Sequence, residues 1–348
     1  MKRVESVCIL CTARDVWLAR IAVASVRYWS PEIPITLVKD PVYGRFRTDE
    51  VERAWGVSST ETLAQPCGWG FGKIELLYRF PGQRLLVLDA DTILCGDVLG
   101  AIDDSDADFV VSVEQIGAAR LDEMQQYYYW FDAVRELDAE FARPRWLFNS
   151  GHFVATSGVL HRDDFDRWLR WSSPVELRYP DRFHPGEQGV LNYVLDGAER
   201  RGRATVDPRH FAILAASPEM ARVQLEAIRR RVSEPFVVHY NGRKPELLMR
   251  FPRRELLAFF ERVYYSRVAS PLIEPLRRAI LARRPDRRMT RPGLRGWLEL
   301  SREYWPRVRR AFERAARLPT WSDRTPCSGE KPRETERRGP RETERRGR

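Results

Sequence analysis

Two aspartates separated by a single residue, Asp89-Ala90-Asp91, follow the apolar run Leu85-Leu86-Val87-Leu88. Four consecutive aliphatic residues bounded by polar ones predict a buried strand. The carboxylates then stand at that strand's carboxyl end, which is where ligands gather in open α/β sheets. Negative charges a few ångströms apart repel, so such a pair shares a proton or holds a cation. The chemistry suggested is a hard divalent metal beside a phosphorylated ligand. Alone, the triplet reads equally well as a turn or a helix cap.

The elements that must position this pair alternate along the chain. Val4–Cys11 reads as a strand, Val16–Tyr28 as a helix and Ile35–Val38 as a strand. Lys73–Arg79 reads as a short helix opened by Gly70 and Gly72, and Arg84–Leu88 as the strand leading to the acids. This βαβαβ pattern predicts an α/β fold with an open, mostly parallel sheet flanked by helices. Asp108–Val113 reads as another strand, and Leu121–Phe141 as a long helix containing Tyr127-Tyr128-Tyr129-Trp130. Beyond it, Phe148–Thr156 is extended, Arg162–Trp171 and Glu187–Leu195 are helical, and Pro235–Val238 is a last strand ending at His239.

A chain of 348 residues with 43 % hydrophobic and 11 % aromatic content can bury a large core. No apolar stretch approaches the roughly 20 residues that span a bilayer. The N-terminus runs into a strand-like segment with no signal-peptide core, which predicts a cytoplasmic protein. Cys8 and Cys11 have redox or zinc spacing, but they lie inside an apolar run with no second close Cys/His pair, so buried thiols are the better reading. The net charge of +10 is unevenly spread: residues 276–348 hold 23 Lys/Arg against 10 Asp/Glu, which leaves −3 for residues 1–275. A nearly neutral body argues against a surface built for specific nucleic-acid binding.

Five blocks, in order, carry a family pattern: Thr12-Ala13-Arg14-Asp15, Gly72-Lys73-Ile74-Glu75, Leu88-Asp89-Ala90-Asp91-Thr92, Phe148-Asn149-Ser150-Gly151 with Glu187-Gln188-Gly189-Val190-Leu191-Asn192, and His239-Tyr240-Asn241-Gly242-Arg243-Lys244-Pro245. Over roughly residues 4–250 the chain resembles the family 8 retaining glycosyltransferases, the GT-A group of glycogenin-like and lipopolysaccharide galactosyl- and glucosyltransferases. Ser150, Glu187 and Glu246 stand where that family usually has alanine, aspartate and tryptophan.

The resemblance implies a GT-A fold, a UDP-sugar donor, a hydroxyl acceptor (saccharide, lipid-linked or other) and transfer of a hexosyl group with retention. It places Thr12 and Asp15 against the nucleoside, and Lys73, Asp89, Ala90, Asn149, Ser150, Gly242 and Lys244 around the sugar and phosphates. Asp89, Asp91 and His239 would hold the metal, a mixed oxygen and imidazole set that favours Mn²⁺ over Mg²⁺. Lys244 would lie against the β-phosphate, and Gly242 would let the backbone approach it. Gln188 would sit near the anomeric carbon and stabilise developing positive charge, with Glu187 orienting a sugar hydroxyl. That arrangement implies front-side attack; a Glu187 that reached the anomeric carbon would permit double displacement instead. Bland readings stand beside these: a core histidine for His239, a turn for Asn149, a solvated Lys73, a helix cap for Asp15. Tyr127–Tyr129 read as core, and Trp130 is open as a sugar-stacking surface.

Two other functions compete. A haloacid-dehalogenase-like phosphatase needs a Thr or Val four residues after the first Asp and its motif at the start of the domain, whereas Thr92 is three after Asp89 and a whole βαβαβ unit comes first. A non-catalytic GT-A-like scaffold is disfavoured by the intact Asp89, Asp91, His239 and Lys244 set, although Glu246 keeps it in play.

The predicted organisation is a catalytic domain over 1–268, a basic amphipathic helical extension over 269–320 and a disordered Arg/Glu-rich tail over 321–348. Trp297, Leu298, Leu300, Tyr304 and Trp305 among Arg291, Arg295, Arg302 and Arg307 form the pattern of a helix lying on an anionic membrane face. A solvated extension, or one with non-specific affinity for nucleic acid, fits the same residues. Arg333–Pro340 and Arg341–Arg348 are a tandem repeat with nothing apolar in it.

Overall fold

Both faces of strand β1 (Ser6–Thr12) are buried, as a central strand of a parallel sheet covered on two sides must be. The computed structural model describes residues 2–62, 66–68, 70–113, 118–242, 248 and 251–268. After β1 come α1 (Val16–Trp29), β2 (Ile35–Asp40), α2 (Asp49–Trp55), β3 (Ser58–Glu61), α3 (Gly72–Arg79), β4 (Arg84–Asp89) and β5 (Thr92–Cys95). Then follow α4 (Val98–Ile102), β6 (Phe109–Val113), α5 (Ala118–Met124), α6 (Phe131–Arg135) and β7 (Phe148–Thr156). The rest is β8 (Leu169–Arg170), β9 (Glu176–Leu177), α7 (Gln188–Arg200), β10 (Val206–Arg209), β11 (Ala212–Leu214), α8 (Leu225–Arg229), β12 (Phe236–His239) and α9 (Arg254–Val268).

Seven strands form the main sheet in the order β10-β6-β7-β4-β1-β2-β3. All neighbours pair in parallel except at β7, which runs against both β4 and β6. The mostly parallel sheet expected from the alternation is thus present. Alternate residues of β4 face opposite layers: Leu85 and Val87 pack with Leu76, Leu77, Val190 and Leu191, while Leu86 and Leu88 pack with Val16, Ala19 and Val23 of α1. Burial on both faces explains the unbroken aliphatic run, which has no polar alternate.

A second, three-stranded sheet, β11-β12-β5, starts where β4 ends. The chain leaves β4 at Asp89, turns through Ala90-Asp91 and enters β5, so the acidic pair lies at the junction of the two sheets. Ser25 on α1 fixes that junction: its Oγ accepts from the Leu94 backbone N–H at 3.0 Å and donates to the Ala22 carbonyl at 2.7 Å.

Two expected helices do not form. Residues 121–141 break into α5, a 3₁₀ turn at Gln125–Tyr127 and α6. Tyr129 instead bridges Phe183, Trp130 donates to the Arg182 carbonyl at 3.0 Å, and the Phe131 N–H donates to Gln125 Oε1 at 2.7 Å. Five consecutive aromatics favour extended backbone, and burying Tyr129 against Phe131, Phe141, Phe183 and Tyr193 outweighs local helix propensity. Residues 162–171 hold a 3₁₀ turn at Arg162–Phe165, and Leu169–Arg170 then pairs with Glu176–Leu177. The apolar spacing of Phe165, Trp168 and Leu169 imitates a helix although these side chains serve the same core from a turn and a hairpin. Cys8, Cys11, Cys67 and Cys95 are buried thiols outside any disulfide among the described residues, as expected for the first two. No helix among the described residues is long and apolar enough to cross a membrane. Residues 243–247, the expected extension over 269–320 and the tail over 321–348 lie outside the described residues.

Candidate active site

The end of β12 meets the β4–β5 junction because β12 pairs antiparallel with β5, which sets His239 opposite Thr92. The Tyr240 N–H donates to the Asp91 carbonyl at 2.9 Å, and Thr92 Oγ1 donates to the Asp89 carbonyl at 2.8 Å. These bonds bring three side chains together. His239 Nε2 lies 3.4 Å from Asp91 Oδ1 and 3.9 Å from Asp89 Oδ2, and ligand atoms of all three fall within 4.8 Å of one another. Gly151 makes room for the imidazole, since a Cβ there would overlap the His239 ring. His239 Nδ1 is buried and has no hydrogen-bond partner among the described residues.

A lysine locks the pair from the other side. Lys73, 2 % exposed on α3, places Nζ 2.8 Å from Asp89 Oδ1 and 2.6 Å from Glu187 Oε1. Burial works against its charge, but Asp89 and Glu187 prevail and hold its pKa above the ordinary lysine value. Burial pushes the Asp89 carboxyl up, with Lys73 and His239 opposing and Asp91 and Glu187 reinforcing the rise. Ser150 Oγ donates to Glu187 Oε1 at 2.6 Å, so Glu187 is held by two partners.

Gln188 opens α7 and is fixed at both ends of its amide. Its Oε1 accepts from the Ser150 N–H at 3.2 Å, and its Nε2 donates to the Tyr127 carbonyl at 3.1 Å. Asn192, one turn later, clamps α7 to β7: it accepts from the Phe148 N–H at 2.9 Å and donates to the Phe148 carbonyl at 2.9 Å. Asn149 Oδ1 accepts from the Gly151 N–H at 2.8 Å.

Asp15 occupies the residue before α1, yet its side chain makes no capping bond to the helix. It turns back to accept from the Thr12 N–H at 2.6 Å and Thr12 Oγ1 at 3.0 Å. Burial, reinforced by Asp91 and Asp89, pushes its carboxyl up to about 6.

A cavity of about 320 Å³ gathers these groups: Thr12, Asp15, Lys73, Asp89, Ala90, Asp91, Asn149, Ser150, Glu187, Gln188, His239 and Gly242 all line it. Lys244 lies outside the described residues. Gly70, His184 and Asn241 line the same cavity without having been expected there. Asn241 stands within the His239–Pro245 block, and Gly70 within a Gly-x-Gly-x-Gly run over 68–72, so both had a signal in the sequence.

A second cavity, of about 490 Å³, shares Asn149, Gln188 and Asn241 with the first. Tyr127 lines it and is 55 % exposed, which corrects the expectation that Tyr127 is core; Tyr128 and Tyr129 are buried as expected. Trp130 is half exposed and does not line either cavity.

No protein-family model and no curated protein matches the sequence. The crystal structure of the galactosyltransferase LgtC, in complex with donor and acceptor sugar analogs, is similar at a TM-score of 0.51 and 17 % identity, covering 76 % of this chain and 97 % of that one. An active-site mutant of LgtC is similar at a TM-score of 0.51 and 14 % identity, with the same coverage. The chain has a GT-A fold. In this GT-A fold the acidic pair, the imidazole and the Lys73–Glu187 pair converge on one cavity at the carboxyl end of β4. Two carboxylate donors and one imidazole suit a divalent cation of intermediate hardness. The residues fit such an ion. Asp15, Asp89, Asp91 and Glu187 outnumber the single lysine among them, so a cation there offsets charge that burial makes costly.

Proposed function

We propose that this protein is a metal-dependent glycosyltransferase that moves a hexosyl group from a UDP-sugar to a hydroxyl acceptor with retention of configuration. The observation that carries this reading is the convergence of Asp89, Asp91 and His239 beside the Lys73–Glu187 pair in a GT-A cavity. Asp89, Asp91 and His239 hold the ion, Mn²⁺ or Mg²⁺, which when bound stabilises the charge of the departing diphosphate.

The remaining work falls to this chain's own side chains. Thr12 and Asp15 face the nucleoside. Lys73 holds Asp89 in place and sets Glu187 where it orients a sugar hydroxyl, helped by Ser150. Asn149 offers its amide to the sugar, and Lys244 and Gly242 serve the phosphates. Gln188, immobilised by Ser150 and Tyr127, is a poor nucleophile and acts as a dipole against developing positive charge at the anomeric carbon. Glu187 is engaged with Lys73 and Ser150, which favours front-side attack over double displacement. In that step the bond from the anomeric carbon to the phosphate oxygen breaks, the bond to the acceptor oxygen forms on the same face, and the acceptor's proton passes to the departing phosphate. The larger adjoining cavity seats the acceptor, with Gln188 and Asn149 at the boundary.

The test is a thermal-shift panel of UDP, GDP, ADP and CMP, each with and without Mn²⁺. A ligand at 100 times its Kd adds about 2.7 kcal/mol of stability. The expected result is stabilisation by UDP only with Mn²⁺, abolished in Asp91→Ala. No response to any nucleotide overturns the transferase reading in favour of a non-catalytic scaffold.

A further inference from the structure

The cavity assigned to the acceptor has a charge character of its own. Among its described lining residues the charged groups are two acids, Glu123 on α5 and Glu219 in the 3₁₀ turn at Pro218–Arg222. Glu219 is half exposed and meets His210 Nε2 at 3.3 Å. A cleft lined by one sign of charge concentrates ligands of the other sign. Tyr127 adds an exposed aromatic ring, a surface that binds both sugar C–H faces and ammonium groups.

A second observation points to an occupant. His152, 2 % exposed, lines the same cavity, with its ring edge-on to His239 at 5.5 Å and to Phe211 at 6.1 Å between centroids. Its Nδ1 is buried and without a hydrogen-bond partner among the described residues. Buried polar atoms in native structures have partners, so a lone imidazole nitrogen beside a cavity marks a place for a ligand's polar group.

The geometry points to an acceptor that is cationic: a glycoside bearing a free amino group near the hydroxyl that receives the sugar. The ammonium is held by Glu123, Glu219 and the Tyr127 ring, while the hydroxyl face of the ring turns toward His152 and Gln188. This inference rests on the transferase reading.

The experiment loads the full-length protein with UDP and Mn²⁺. Calorimetric titration then uses four methyl glycosides in both the gluco and galacto series: 2-amino, 2-acetamido, 2-hydroxy and uronic acid. The amino form is expected to bind about tenfold tighter than its acetamido counterpart at low salt, the size expected of partly exposed charge pairs. That advantage shrinks in high salt and disappears in the Glu123→Gln/Glu219→Gln double variant, whose unchanged stabilisation by UDP and Mn²⁺ shows that it is folded. Equal or tighter binding of the acetamido, neutral or uronic forms overturns the proposal. So does an amino preference that survives both glutamines, or no glycoside binding to UDP-loaded protein. Failure of the transferase reading itself appears earlier, as failure of UDP to load.

Discussion

At the scale of single residues, Lys73 is a buried cation held between Asp89 and Glu187. Removing one partner of a buried ion pair leaves uncompensated charge and costs about 3–5 kcal/mol. Lys73→Met is expected to lose that much in urea denaturation, and Mn²⁺ should stabilise this variant more than the wild type because the cation takes over part of the lysine's role. Gly151 is decisive for a different reason: a Cβ there collides with the His239 ring. Gly151→Ala should leave the fold intact by circular dichroism yet weaken Mn²⁺ binding, read by calorimetry, by tenfold or more, since ligand geometry tolerates little displacement. The acidic pair stood out by residue type and spacing, whereas His239 and Gln188 entered as candidates only with the surrounding motif blocks and the family resemblance they carry. His152 was not, because a histidine two residues past Ser150 on a strand has no meaning until Phe211 and His239 pack on it.

At the scale of elements, the site depends on how α7 begins. Gly189, in its first turn, lies so close to the Tyr128 carbonyl that a Cβ would overlap it. That carbonyl also accepts from the His184 N–H at 2.9 Å. Gly189→Ala is therefore expected to push the 125–130 segment away, free Gln188 Nε2 from the Tyr127 carbonyl, and destabilise the protein by about 1–3 kcal/mol, the cost of overpacking. Thermal melts check the stability, and UDP stabilisation with Mn²⁺ should fall as well. Local patterning identified β1, β2, β4, β6, β7 and β12, and in all of these but β7 an apolar run marks the strand. It failed at 121–141, where Tyr129 is held by Phe183, distant in sequence, and at 162–171, where the chain turns into the β8–β9 hairpin although its apolar residues keep helical spacing.

At the scale of the whole molecule, charge ties stability to pH. Asp15 holds its proton up to about pH 6 in the folded state, against an ordinary value of 3.8. A carboxyl raised in this way contributes stability that is full below about pH 4 and lost as the pH rises through about 6. Asp89 shifts in the same direction. The metal-free protein is thus expected to lose stability across that window, and Asp15→Asn should flatten the loss in denaturation series recorded from pH 4 to 7. Stabilisation by Mn²⁺ should grow over the same window, since the ligands must be deprotonated to bind.

The sequence by itself determined the α/β class, a mostly parallel sheet and an acidic pair at the carboxyl end of β4, because aliphatic runs and strand-end acids are local signals with few physical solutions. Only the tertiary structure decided that Lys73 joins Asp89 to Glu187, that Asn192 clamps α7 to β7, and that a second, acidic cavity adjoins the first at Gln188. Each of these brings together groups from separate elements of the chain. Their meeting is set by sheet order and by which face of each strand is buried, and no local stretch of sequence carries that information.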